Sequence, residues 1–214
     1  MAGEYRISMS NVLYEELPTI WNGYKVNTWF QIGVQLVLLI EDETIDKRIK
    51  PQIMISLLFG NEDGSIRETP ETDEEIRSCV EWFLNGWNYD KTADQESNEK
   101  IMDFYVDQGR IYADFRQIYH INLNSAQMHW WEFCWLLWNM PRELSSFMQV
   151  LEIRTKKPGR KASAEERRQI QKGKQIYGLG EPRREKTYSG SEIAKIDSYD
   201  ERMRKIRSSQ NNGG

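Results

Sequence analysis

The spacing of apolar and polar positions predicts a short strand pair and then a run of helices. Leu17-Pro18-Thr19-Ile20-Trp21 and Tyr24-Lys25-Val26 flank Asn22-Gly23, two residues that tolerate positive φ and suit a type I′ hairpin turn. Asn27 or Thr28 then caps a helix to about Ile40. A second helix is interrupted near Pro51 and resumes to Phe59, since proline is tolerated in a first turn and kinks a helix elsewhere. Residues 60–71 read as a polar loop. Thr72 with Glu75 forms a capping box for a helix to about Leu84, and 88–98 is again loop-like. Ile101, Phe104, Tyr105, Ile111, Tyr112, Phe115, Ile118 and Tyr119 recur at three- and four-residue steps, which assigns them to one helical face. Asn124 or Ser125 caps a tryptophan-rich helix ending near Met140-Pro141, and a shorter helix covers Glu143 to Ile153. Beyond Arg154, TKKPGRKAS has linker composition. Ser163 with Glu166 repeats the capping-box pattern before a basic helix at about 164–177, a charged helix-capable segment runs from about Ser191 to Arg207, and SSQNNGG reads as a disordered end.

The expected fold class is therefore mainly α: a compact helical domain with a short N-terminal β-hairpin and a basic, partly helical C-terminal tail. Charge sharpens the division. The formal net charge of -4 splits into 12 Lys/Arg against 25 Asp/Glu over residues 1–153 and 17 against 8 over residues 154–214. The chain is an acidic body, net -13, carrying a basic tail, net +9, and such a tail meets nucleic acid, an acidic protein or the body itself. Cys79 and Cys134 are far apart, match no metal or redox spacing and fit a reducing compartment. The start, MAGEYRISMS, lacks the basic and apolar regions of a signal peptide. The longest apolar run, Trp29 to Ile40, falls short of the roughly twenty residues a bilayer needs. A soluble, cytoplasmic chain with no membrane contact is expected.

Candidate chemistry is sparse. Asp103, Asp107, Asp114 and Glu132 admit an acid/base reading, but the steps from Asp107 to Arg110 and from Arg110 to Asp114 are those of a solvated helix face with intrahelical ion pairs. His120, His129, Cys79 and Cys134 lack the short spacings of structural zinc sites and read as helix-terminal or core groups. Tyr177-Gly178-Leu179-Gly180 has no preceding strand and no following Lys-Ser/Thr, so it reads as a helix end rather than a phosphate loop. No nucleophile elbow or HExxH pattern occurs, and neither an enzyme nor a cofactor is expected.

The segment MHWWEFCWLLWNM is the least ordinary. Met128, Trp131, Trp135 and Trp138 fall on one helical face and Trp130, Phe133 and Leu137 on another. A helix apolar nearly all round is buried on more than one side, while Trp also concentrates at binding hot spots. Candidate partner-binding residues are Trp29, Phe30, Trp130, Trp131, Trp135 and Trp138. In the tail, Arg160, Lys161, Arg167, Arg168, Lys172 and Lys174 suit phosphate contacts, but interleaved glutamates and few stacking rings favour a solvated or docked helix over a nucleic-acid arm.

From Asp107 to Arg154 the chain reads DQGRIYADFRQIYHINLNSAQMHWWEFCWLLWNMPRELSSFMQVLEIR. In Asp107, Ile111-Tyr112-Ala113, Phe115, Gln117, Tyr119, Ile121, Leu123, His129-Trp130-Trp131, Phe133, Met140-Pro141 and Arg154 it resembles the siphophage family named after gene product fifteen of a Listeria phage. Leu17-Pro18, Asn22-Gly23, the apolar run to Phe59, Glu81 to Gly86 and the stretch closing at Ile176-Tyr177-Gly178-Leu179 also fit, a span of roughly residues 12–180. Thr28-Trp29-Phe30-Gln31 stands where the family often has an Asp-Phe-Arg-like start to its first helix, and the segment after Gly180 lies outside the match. The resemblance implies a tail assembly chaperone without catalytic residues. Such a protein holds the tape measure protein soluble in the host bacterial cytoplasm, gives way to tail-tube subunits, and is absent from the mature virion. It also implies the tape measure protein, and the major tail protein with it, as partners; exposed apolar surface adds self-association. The competing readings are a phage accessory protein that binds nucleic acid and a minor virion structural protein.

Overall fold

The structure is a computed structural model that describes residues 15–61, 63–86 and 100–180, which lie in one compact unit extending to Gly180. The loop expected at 88–98, the helix-capable segment at 191–207 and the chain end lie outside the described residues. Those described form one two-stranded antiparallel hairpin, β1 (Ile20–Trp21) and β2 (Tyr24–Lys25), followed by seven helices. Asn22 and Gly23 take φ of 46° and 90°, as a type I′ turn requires, and the register pairs Ile20 with Lys25 and Trp21 with Tyr24.

Helix α1 spans Phe30–Glu41 and α2 spans Lys50–Phe59, with Pro51 in its first turn where no N–H is missed. Helix α3, Asp73–Asn85, starts on the Thr72–Glu75 capping box. Helices α4 (Phe104–Ile118), α5 (Trp130–Trp138), α6 (Ser146–Thr155) and α7 (Ala164–Tyr177) complete the order, and α7 packs along α6.

The expected side-chain caps of α1 and α5 are not the ones used. Trp29 precedes α1 and His129 precedes α5, and the two pair as an isolated antiparallel bridge. Phe30 N–H donates to the Met128 carbonyl at 3.0 Å, and Trp130 N–H donates to the Thr28 carbonyl at 2.8 Å. Each helix thus satisfies a first-turn amide with the carbonyl just before the other, which removes the need for a local Asn or Ser cap. Asn27 is used elsewhere: its Nδ2 donates to the Leu57 and Gly60 carbonyls and latches the end of α2 to the strand exit.

The core centres on Phe133. Its ring stacks on Phe30 at 4.9 Å, on Phe115 at 5.1 Å and on Trp130 at 5.7 Å between centroids, distances typical of favourable aromatic pairs. The apolar positions of α4 divide between two faces rather than sharing one. Ile111 and Phe115 point into the core, while Tyr105 and Tyr112 lie on the solvent side.

Candidate partner-binding surface

The four carboxylates assigned to a solvated face occupy three different environments. Asp103 caps α4, accepting the Tyr105 N–H at 2.7 Å and the Val106 N–H at 3.0 Å, and Glu132 is exposed. Asp107 and Asp114 are buried, contrary to the solvated reading. Asp107 receives Arg154 in a two-point fork, Nη1 to Oδ2 at 2.7 Å and Nη2 to Oδ1 at 2.9 Å, with Arg110 as a second, looser cation at 3.6 Å. Arg154 also donates to the Ile101 carbonyl at 3.0 Å and, through Nε, to the Tyr177 carbonyl at 2.6 Å. One guanidinium therefore joins the entry to α4, the end of α6 and the end of α7. Asp114 caps α6 from outside that helix, accepting the Ser146 N–H at 3.2 Å and the Phe147 N–H at 2.8 Å together with the Ser145 hydroxyl at 2.7 Å. The first turn of α6 has no acidic residue of its own, so Asp114 supplies the negative charge that a helix N-terminus favours. These groups hold the fold together, and local spacing did not reveal it.

The aromatic candidates separate into inner and outer members. Phe30, Trp130 and Trp131 are core residues. The indole N–H groups of Trp130 and Trp131 donate to the Leu84 carbonyl at 3.3 Å and the Phe83 carbonyl at 2.8 Å, closing off the last turn of α3. Their rings press against glycine backbone. A Cβ on Gly33 would sit 2.1 Å from Trp130 Cε3, and one on Gly86 would sit 2.2 Å from Trp131 Cζ2. Trp135 and Trp138 are half-buried, Trp138 lying beside Phe147 at 6.4 Å. Trp29 stands apart, with 48% of its surface open, as does Ile20 of the hairpin at 59%. Both belong to the corner where three segments meet at His129, whose Nδ1 accepts the Trp131 N–H at 3.0 Å while Nε2 lies 3.1 Å from the Pro18 carbonyl. Burial holds the His129 pKa below its ordinary value, against a smaller upward pull from that carbonyl.

In the basic region, Arg160 and Lys161 lie in the segment before α7, and Arg167, Arg168 and Lys172 lie exposed on it. Lys174 is half-buried and, with Lys100, Ile101, Arg154, Gly178 and Leu179, lines a cavity of about 120 Å³. Glu165 and Glu166 occupy the first turn of α7. Cys79 and Cys134 are free and buried; burial pushes the Cys79 thiol up to about 12 and the Cys134 thiol also upward. Among the described residues no cluster of three or more His, Cys, Asp or Glu is placed to hold a metal ion, and no helix is long and apolar enough to cross a membrane.

Comparison with curated proteins and with solved structures gives no match. A family model, that of the bacteriophage Gp15 protein, matches residues 13–179. That span runs from just before the hairpin to the end of α7, taking in the Asp107–Arg154 pair and both indole contacts on α3. The chain belongs to the bacteriophage Gp15 protein family.

Proposed function

We propose that this chain is a phage tail assembly chaperone that binds and solubilises the tape measure protein while the tail tube polymerises, works in the host bacterial cytoplasm and is left out of the finished virion. Membership of the bacteriophage Gp15 family across residues 13–179 carries the reading. The physical support is the corner formed by the hairpin and the starts of α1 and α5. Solvent-facing Ile20 and Trp29 flank a rigid junction there, and large apolar side chains held in the open suit an amphipathic client helix. Trp130, Trp131 and Phe30 serve by shaping that corner from beneath.

The test is co-expression of the chain with the long coiled-coil tail protein of the same phage, followed by size-exclusion chromatography with light scattering. A soluble complex with several copies per client is expected. The Ile20→Asp/Trp29→Asp variant is expected to leave the client insoluble while its own melting curve stays close to the parent's, because both side chains face solvent. A client that precipitates beside a free, monodisperse parent chain would overturn the proposal. So would recovery of the chain from purified particles, which marks a virion component, or retardation of DNA that weakens steeply with salt, which would turn the assignment to Arg167, Arg168 and Lys172.

A further inference from the structure

Charge on the described surface gathers into two patches of opposite sign. Of the net +9 carried by residues 154–214, residues 154–180 hold nine Lys/Arg against two Asp/Glu, a net of +7. Between Lys156 and Lys172, α7 and the segment leading into it expose seven Lys/Arg and only two acids, Glu165 and Glu166. Between Asp63 and Glu81, α3 and the loop before it expose seven Asp/Glu and a single base, Arg77. Local roles occupy some of these acids: Glu75 completes the α3 capping box and Asp63 accepts from the Ser65 hydroxyl. Glu68, Glu71, Glu74 and Glu81 have no such role. Among the described residues the ion pairs all lie elsewhere, at Glu41, Asp46, Asp103 and Asp107. Crowding charges of one sign opposes the compact state through self-repulsion unless the other sign answers it.

We infer that the basic surface of α7 and its lead-in docks on the acidic stretch 63–81 of a second copy, so that copies join head to tail. Charge complementarity selects the occupant. Within one chain α7 packs on α6, while α3 packs on α2 and α5. Among the described residues no ion pair joins the two patches, so each is left for another molecule. A nucleic acid would answer the basic patch alone, and its phosphates would meet the acidic patch with like charge. A second copy answers both patches with one kind of contact. The two patches differ, so the contact is heterologous: docking two copies leaves one patch of each sign open, and further copies add. Exposed charges of this kind give orientation and speed of encounter more than affinity. The association is therefore reversible and sensitive to salt, because about 0.1 M salt screens exposed charges more than about 10 Å apart. The contact uses neither Ile20 nor Trp29, so it stands or falls apart from the client proposed above.

The experiment is sedimentation of the full chain without client, over a range of concentration at about 0.03 M and about 0.3 M salt. The variants are Arg160→Glu/Lys161→Glu/Arg168→Glu/Lys172→Glu, Glu68→Lys/Glu71→Lys/Glu74→Lys/Glu81→Lys, and the chain that combines both sets and keeps the parent's net charge. All eight positions are exposed, and thermal melts confirm that each variant is folded. Where a reversal melts early, Gln at the same positions carries the test, with a smaller expected loss. The parent's mean mass is expected to rise with concentration in low salt and to return to that of the monomer in high salt. Either reversal alone leaves both patches with one sign and is expected to weaken association at least about tenfold. The combined chain has its patches exchanged in sign but still opposite, and is expected to regain association. A parent that is monomeric at every concentration in low salt, association indifferent to either reversal, or a folded combined chain that stays monomeric would overturn the contact. So would a monomeric parent that retards a DNA duplex and loses this in the α7 reversal, which would give the basic patch to nucleic acid. A monomeric parent that keeps its client soluble would overturn this contact and leave the client proposal standing.

Discussion

At the scale of single residues, Arg154 has the largest reach. It matches both oxygens of a fully buried Asp107 and uses two further donors on the Ile101 and Tyr177 carbonyls. A buried pair of this kind contributes little over a well-packed apolar pair, yet removing one partner leaves an uncompensated charge and costs about 3–5 kcal/mol. Arg154→Met is therefore expected to lower the free energy of unfolding by that amount in urea titrations, and Asp107→Asn/Arg154→Met to recover most of it. A single variant as stable as the parent would show that Arg110, at 3.6 Å, compensates on its own. Half of this was legible in the sequence. Asp107 and Asp114 are seven apart, so helical geometry puts them on the side of Ile111 and Phe115. Acids there read as solvated because their partners are remote: Arg154 is 47 residues from Asp107, and Ser145 is 31 from Asp114. Spacing predicts intrahelical pairs such as Asp107 with Arg110 and carries no information about a fork from another helix.

Elements show the same division between local and remote causes. Thr72 and Glu75 cap α3 with the full reciprocal box that the sequence predicts, and Ser163 caps α7 through its hydroxyl without the returning bond from Glu166; in both the acceptor is next to its own helix. The starts of α1 and α5 differ from those the local sequence predicts, because their amides are satisfied by each other's flanking carbonyls, a pairing of segments about 100 residues apart. The cap of α5 is a histidine, and it makes that element sensitive to pH. Nδ1 accepts from the Trp131 amide, so the ring proton is on Nε2 and donates to the Pro18 carbonyl. Protonating Nδ1 would break the cap. Because the folded pKa lies below the unfolded value of about 6.5, the unfolded chain takes up the proton first as pH falls. The contribution of neutral His129 is full above about pH 6.5 and is gone once pH has dropped through the lower folded value. Urea midpoints measured from about pH 8 to 5 should fall more steeply on the acid side for the parent than for His129→Asn, which keeps a capping oxygen and does not titrate. Parallel curves would place the acid sensitivity elsewhere.

For the whole molecule, the composition change after Ile153 and the mechanical edge of the body do not coincide. The sequence turns basic at Arg154, but that residue is the counter-charge of a buried acid, so the body needs it. Helix α7 is different. It has no fully buried side chain, its Ile176 is 62% exposed, and it is held by the Tyr177 carbonyl, by Gly173 lying close against Ile153, and by Arg110 at 6.0 Å from the Tyr177 ring. Such contacts, a hydrogen bond and some half-buried surface, contribute about 1–2 kcal/mol together. Two truncations three residues apart should therefore behave differently. A chain ending at Lys156 retains the Asp107 fork and should unfold cooperatively with a loss of about 1–2 kcal/mol. A chain ending at Ile153 also lacks Arg154, leaves Asp107 buried without its fork, and should lose about 3–5 kcal/mol more. Circular dichroism melts of the two, beside the full chain, decide it. Equal melts would mean that Asp107 finds compensation without Arg154, and a Lys156 chain that fails to fold would make α7 part of the core rather than a layer upon it.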